Sequence, residues 1–151
     1  MSHGSLASNT SLRVSVSDAE IDAAEMMAFV ADPASGATVL FSGTVRDHSP
    51  GRDGVSLLEY EAYGAVVEDK IREIVLEAMA RWSVIKIAAA HRTGSLDIGE
   101  SAVMVAVSSS HRVDAFPAAR YVIDELKGRA PIWKKEHWPG GAEWVEEAED
   151  R

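Results

Sequence analysis

The sequence predicts an α+β domain, and three observations carry that expectation. β-Type and helical runs are interspersed without the regular strand–helix alternation of a doubly wound sheet. No glycine-rich phosphate loop links a strand to a helix. Two β-type runs, "VIKIAAAHR" and "SAVMVAVSSS", are separated only by the turn-rich "TGSLDIGE", which suits an antiparallel pair. At 151 residues the chain is about one ordinary domain. The expected organisation is a disordered leader over 1–11, a single domain over 12–147 and an acidic tail over 148–151.

In chain order, "LRVSV" alternates as a short strand, and "DAEIDAAEMMAFVAD" follows as a helix. Asp18 is a candidate N-cap there, and Ile21, Met26, Phe29 and Val30 form an apolar face. "GATVLFSGTVR" is a strand ending in the polar loop "DHSPGRDG", expected to be mobile. "VSLLEYEAY" is the next strand. After it, Val67, Ile71, Ile74, Val75, Ala78 and Trp82 step by three and four, the clearest helical period in the chain. The second main helix is marked by Ala115, Phe116, Ala119, Val122, Ile123 and Leu126. Pro117 belongs in a first turn, which places the helix start near Arg112 to Asp114, and Gly128 and Pro131 stop it. "PIWKKEHW" then reads as a strand, and "EWVEEAEDR" as a short final element running into acidic residues.

The composition excludes several classes. A 46% hydrophobic and 26% charged chain with no run of about 18 apolar residues is expected to be a soluble globular protein that spans no membrane. The start of the chain lacks the apolar core of a secretory signal, so the expected location is cytoplasmic. With 24 acidic against 15 basic residues and a net charge of -9, the chain is not expected to coat nucleic acid. The absence of cysteine removes disulfides, thiolate metal sites and any protein thiol acting as nucleophile or sulfur carrier. The five histidines form no H-E-x-x-H-like pattern, and neither a bound metal nor a cofactor is expected.

Against that acidic background, "LKGRAPIWKKEHW" gathers Lys127, Arg129, Lys134 and Lys135. A lysine at a helix C-terminus is stabilised by the macrodipole, which alone accounts for Lys127. What adds to it is the neighbouring strand. On a two-residue period Lys134 shares a face with Ile132 and Glu136, while Trp133, Lys135 and His137 take the other, so Lys134 is expected to face one cleft with Lys127. Two ammonium groups held close repel, and a lysine so placed can serve as acid, base or amine nucleophile. "SSSHR" is the second cluster: a strand ends in serines, and His111 and Arg112 open a helix whose N-terminal N–H groups suit an anion. An N-cap serine with two solvated neighbours is the plainer reading. Arg46 ends a strand pointing into the polar loop. His91 and Arg92 end another strand and are left out as structural hydrogen-bonding groups.

Taken together, "FSGTVRDH", "HRTGSLDIGE", "SSSHRVDAF" and "LKGRAPIWKKE", in this order and spacing, resemble the large, catalytic subunit of molybdopterin synthase over roughly residues 12–147. The resemblance implies an α/β-hammerhead-type α+β fold with antiparallel strands and two main helices. It also implies a homodimer at the core of a heterotetramer, each end carrying a small ubiquitin-like sulfur-carrier subunit that ends in a Gly-Gly thiocarboxylate. The implied reaction converts cyclic pyranopterin monophosphate to molybdopterin by inserting two dithiolene sulfurs. Lys127 is then the central catalytic residue and Lys134 assists it. Thr44, Val45, Arg46, His111 and Arg112 are expected to bind the substrate and its phosphate, with Lys135 and Glu136 adjoining them as substrate-binding residues. Thr44 departs from the family, where a lysine is frequent; its hydroxyl can still donate one hydrogen bond. The alternative reading is a non-catalytic module that uses the same cations to bind a phosphorylated metabolite or nucleotide.

Overall fold

The computed structural model describes residues 11–146; the leader, save its last residue, and the tail over 148–151 lie outside the described residues. The elements are β1 (Leu12–Ser17), α1 (Ala23–Val30), β2 (Ala37–Thr44), β3 (His48–Ser49), β4 (Arg52–Asp53), β5 (Leu57–Ala62) and α2 (Gly64–Arg81). They continue with β6 (Val84–Arg92), β7 (Gly94–Asp97), β8 (Ser101–Ser109), α3 (Arg112–Arg129), β9 (Ile132–Trp138) and β10 (Gly141–Glu146). One sheet has the order β1-β6-β8-β2, a second β10-β9-β5-β7, and β3-β4 form a two-stranded ribbon. All pairings are antiparallel except β1 with β6, which is parallel. The α+β class with two main helices is therefore the observed one.

The first sheet is covered on both faces, which is why β8 reads as a continuous apolar run with every residue from Ala102 to Ser109 buried. On one face α1 seats Met26 and Val30 over Ala88, Ala90, Met104 and Ala106. On the other, α2 and α3 bury Val67, Ile71, Ile74, Val75 and Ala78, and Ala115, Ala119, Val122, Ile123 and Leu126, against Ile87, Val103, Val105 and Val107. Most positions of the helical periods read from the sequence lie in those buried stripes; Phe116 is 61% exposed, Phe29 is half-buried, and half-buried Ile21 and Trp82 fall just outside their helices.

Some expectations are corrected. The cap of α1 is Asp22, not Asp18: its Oδ1 accepts from the N–H groups of Ala24 at 2.9 Å and Glu25 at 3.2 Å. Pro117 lies in the second turn of α3, where the carbonyl it leaves unserved belongs to Val113, an exposed residue whose backbone can meet water. Helix α3 also runs one residue past Gly128, ending where Ala130 and Pro131 turn the chain into β9. "TGSLDIGE" holds a strand, β7, which pairs with β5. The polar loop is a folded hairpin, with Gly51 at φ +78° in its turn.

Candidate functional site

Helix α3 delivers Lys127 to the second sheet because only Ala130 and Pro131 separate it from β9. Strand alternation does the rest: Ile132, Lys134 and Glu136 are buried on one face, while exposed Trp133 leads the other. The result is a cavity of about 110 Å³ bounded by Lys127 and Lys134, by Thr44 and Arg46 at the end of β2, by Leu58 and Tyr60 of β5 and by His48 of the hairpin. Gly43 lines it too, at a register shift of β2 against β8. A Cβ there would stand 2.7 Å from Val103 Cγ1, so the close approach of the two strands requires glycine.

A lysine 1% exposed is costly unless its charge is met. Lys134 Nζ lies 3.8 Å from Glu136 Oε2, an ion pair longer than a hydrogen bond. Glu136 Oε1 accepts from Ser49 Oγ at 2.9 Å and from Arg52 Nη1 at 2.6 Å. Arg46 donates from Nε to the His48 carbonyl at 2.9 Å, which fixes its stem along the hairpin. Tyr60, opposite Lys134 in the β5–β9 register, packs edge-on against His91 with ring centroids 5.1 Å apart. The helix end that bears Lys127 is clamped to α2. Arg129 pairs with Glu77 at 2.7 Å, Glu73 at 2.9 Å and Glu125 at 3.1 Å, and Tyr121 donates to Glu77 at 2.7 Å. The Arg129 guanidinium, then the Tyr121 hydroxyl, hold the Glu77 carboxyl at about 2, below its ordinary 4.5.

Of the residues singled out in the sequence, the cavity unites Thr44, Arg46, Lys127, Lys134 and Glu136. Val45 is not among its walls: its side chain is buried in the core, its N–H donates to the Glu100 carbonyl and its own carbonyl accepts from Gly99. Lys135 takes the opposite sheet face, with Nζ 5.7 Å from the Trp144 ring centroid. His111 and Arg112 line a separate open cleft of about 840 Å³ with Gly36, Phe116 and Pro117. Arg112 and Lys127 are fifteen residues apart on α3, about 22 Å at a rise of about 1.5 Å per residue. The substrate-binding and catalytic residues that the resemblance implies are therefore divided between two clefts of a single chain. His48 and Tyr60 line the cavity unforeseen. The signal for Tyr60 was its two-residue spacing from Leu58 on a strand; His48 had none, because the hairpin that aims it was read as a loop.

Comparison with known proteins shows the family. The family model described as MoaE protein matches residues 16–129. A molybdopterin synthase catalytic subunit of Oryza sativa subsp. indica is 46% identical over 129 residues, which cover 85% of this chain but 66% of the rice protein. Molybdopterin synthase catalytic subunit 1 of Mycobacterium tuberculosis is 43% identical over 130 residues, 86% of this chain and 88% of that one. The crystal structure of molybdopterin synthase from Staphylococcus aureus superposes with a TM-score of 0.81 at 38% identity, covering 87% of this chain and 95% of its counterpart. With its family model matched from β1 to the end of α3 and these identities around it, the chain belongs to the MoaE protein family.

Proposed function

We propose that this protein is the catalytic subunit of a molybdopterin synthase, a sulfurtransferase that converts cyclic pyranopterin monophosphate to molybdopterin with sulfur from a thiocarboxylated small carrier subunit. The observation that carries the reading is the convergence of Lys127 and Lys134, from a helix end and a buried strand, on one cavity with Arg46, in a chain with no cysteine. Sulfur must then arrive on a partner, and the cavity supplies cations for an anionic substrate and an incoming carboxyl terminus. Lys127 and Lys134 stabilise the oxyanion formed as the thiocarboxylate reacts or pass protons to the departing oxygen. Capture of the carrier's terminal carbonyl by the Lys127 amine is the covalent variant of the same placement. Arg46 and the Thr44 hydroxyl orient the substrate.

The homodimer belongs to this proposal, because His111 and Arg112 of one chain reach a Lys127 cavity only if that cavity is a second copy's. Val113 and Phe116, 74% and 61% exposed beside that cleft, supply apolar surface for such a contact. For the carrier we propose the aromatic cleft of Tyr63, Pro131, Trp133 and Trp144, about 440 Å³, which adjoins the catalytic strand on its outer face. Among the described residues no helix is long and apolar enough to cross a membrane; we place the protein in the cytoplasm as part of the same reading.

The test uses purified chain, thiocarboxylated carrier and substrate. Lys127→Ala is expected to lower dithiolene formation by about 10²–10³-fold, the scale for losing one oxyanion donor, while substrate affinity stays within a few-fold. Loss of affinity with turnover near wild type on saturation would instead favour an anion clamp without catalysis.

A further inference from the structure

The β3–β4 hairpin forms a wall of the Lys127–Lys134 cavity through His48, and two of its side chains tie it to the strand that carries Lys134. Arg52 donates from Nη1 to Glu136 Oε1 at 2.6 Å and from Nη2 to Glu143 Oε2 at 2.7 Å, and its guanidinium lies 3.9 Å from the Trp138 ring centroid. Ser49, from the same hairpin, donates to the same Glu136 Oε1 at 2.9 Å. The Glu136 side chain is 3% exposed, so its charge is met by these partners rather than by water. Its second oxygen, Oε2, stands 3.8 Å from Lys134 Nζ and does not close to a hydrogen bond. The carboxylate is thus divided, with one oxygen held from the hairpin and the other turned toward the amine that the mechanism uses.

We propose that Arg52 is a positioning residue: by holding Glu136 from the hairpin it keeps that carboxylate from closing on Lys134, and so leaves the Lys134 ammonium presented to the cavity. The assignment rests on the sulfurtransferase reading above. A buried carboxylate deprived of its guanidinium turns to the nearest cation. Here that cation is Lys134, two residues away on the same strand face, and a shift of about 1 Å makes the charge-assisted bond. The amine is then withdrawn from substrate. Arg52 acts through the charge of Glu136, which separates this role from simple anchoring of the hairpin.

The experiment measures kcat and KM for dithiolene formation with the full chain and thiocarboxylated carrier. Arg52→Met keeps a side chain able to pack on Trp138 and is expected to lower kcat by about tenfold with KM within about threefold. The double variant Arg52→Met/Glu136→Gln is expected to be several-fold faster than Arg52→Met alone, because a neutral carboxamide does not seize the ammonium. Glu143→Gln, which removes only the outer contact, should stay within about twofold of wild type. If Arg52 only anchors the hairpin, the double variant is no faster than the single one, and the proposal is overturned; an unchanged kcat in Arg52→Met overturns it as well. Should Arg52→Met fail to fold by circular dichroism, Arg52→Lys replaces it in the same comparison, since it lacks the two-donor fork. A wild-type chain that makes no product would remove the functional reading itself, whereas active wild type with no recovery in the double variant removes only the role of Arg52.

Discussion

Mixing two inactive variants tests whether each site is shared between copies. Arg112 and Lys127 stand about 22 Å apart along α3, fifteen residues at about 1.5 Å each, and they line different clefts. One small substrate cannot bridge that span within a chain. In a two-fold dimer each site would take Lys127 from one copy and Arg112 from the other. Lys127→Ala and Arg112→Glu are each expected to be nearly inactive alone. Co-expressed at equal levels with different affinity tags, they form mixed dimers as about half of the total, and each mixed dimer holds one site with both defects and one with neither. The pool should then recover about a quarter of wild-type dithiolene formation, and mixed dimers isolated through both tags about half. Activity in the pool no greater than that of the separate variants, with mixed dimers present by mass spectrometry, would refute the shared site.

Other outcomes follow from particular contacts. The Glu77 carboxyl is held at about 2 against an ordinary 4.5, so its bonds to Arg129 and Tyr121 contribute stability that is present above about pH 4.5 and lost as pH falls toward 2. Melting temperature should drop over that window more steeply in wild type than in Glu77→Gln; parallel curves would show that the network does not govern acid stability. Gly43→Ala drives a Cβ to 2.7 Å from Val103 Cγ1 and 3.3 Å from the Phe41 ring, a crowding expected to cost about 1–3 kcal/mol in chemical denaturation, and unchanged stability would contradict the packing. Trp133→Ala should weaken carrier binding by at least about tenfold by calorimetry while single-turnover rate at saturating carrier is kept; undiminished affinity would move the carrier elsewhere.

What the sequence disclosed was mostly local. The stripe of α2 could be read because Val67, Ile71, Ile74, Val75 and Ala78 must all meet one sheet face. Two-residue alternation in "PIWKKEHW" placed Lys134 and Glu136 together and turned Lys135 away, and both placements hold. The hairpin was opaque because Arg52 and Ser49 are ordered by Glu136, a partner more than eighty residues distant. The parallel pairing of β1 with β6, and the use of Gly94–Asp97 as a strand, depend likewise on long-range register. The separation of His111 and Arg112 from Lys127 was different. It follows from helix length alone, since fifteen residues of α3 separate Arg112 from Lys127.

The most direct measurement is the structure of this chain bound to its carrier and to substrate, read at one distance: from the carrier's terminal glycine carbonyl to the nearest lysine nitrogen. That carbonyl is expected within about 3.5 Å of Lys127 or Lys134 Nζ, inside the cavity bounded by Arg46 and Tyr60. A carrier tail that ends away from both ammonium groups, in the His111–Arg112 cleft of its own subunit or on the open sheet face, would contradict it.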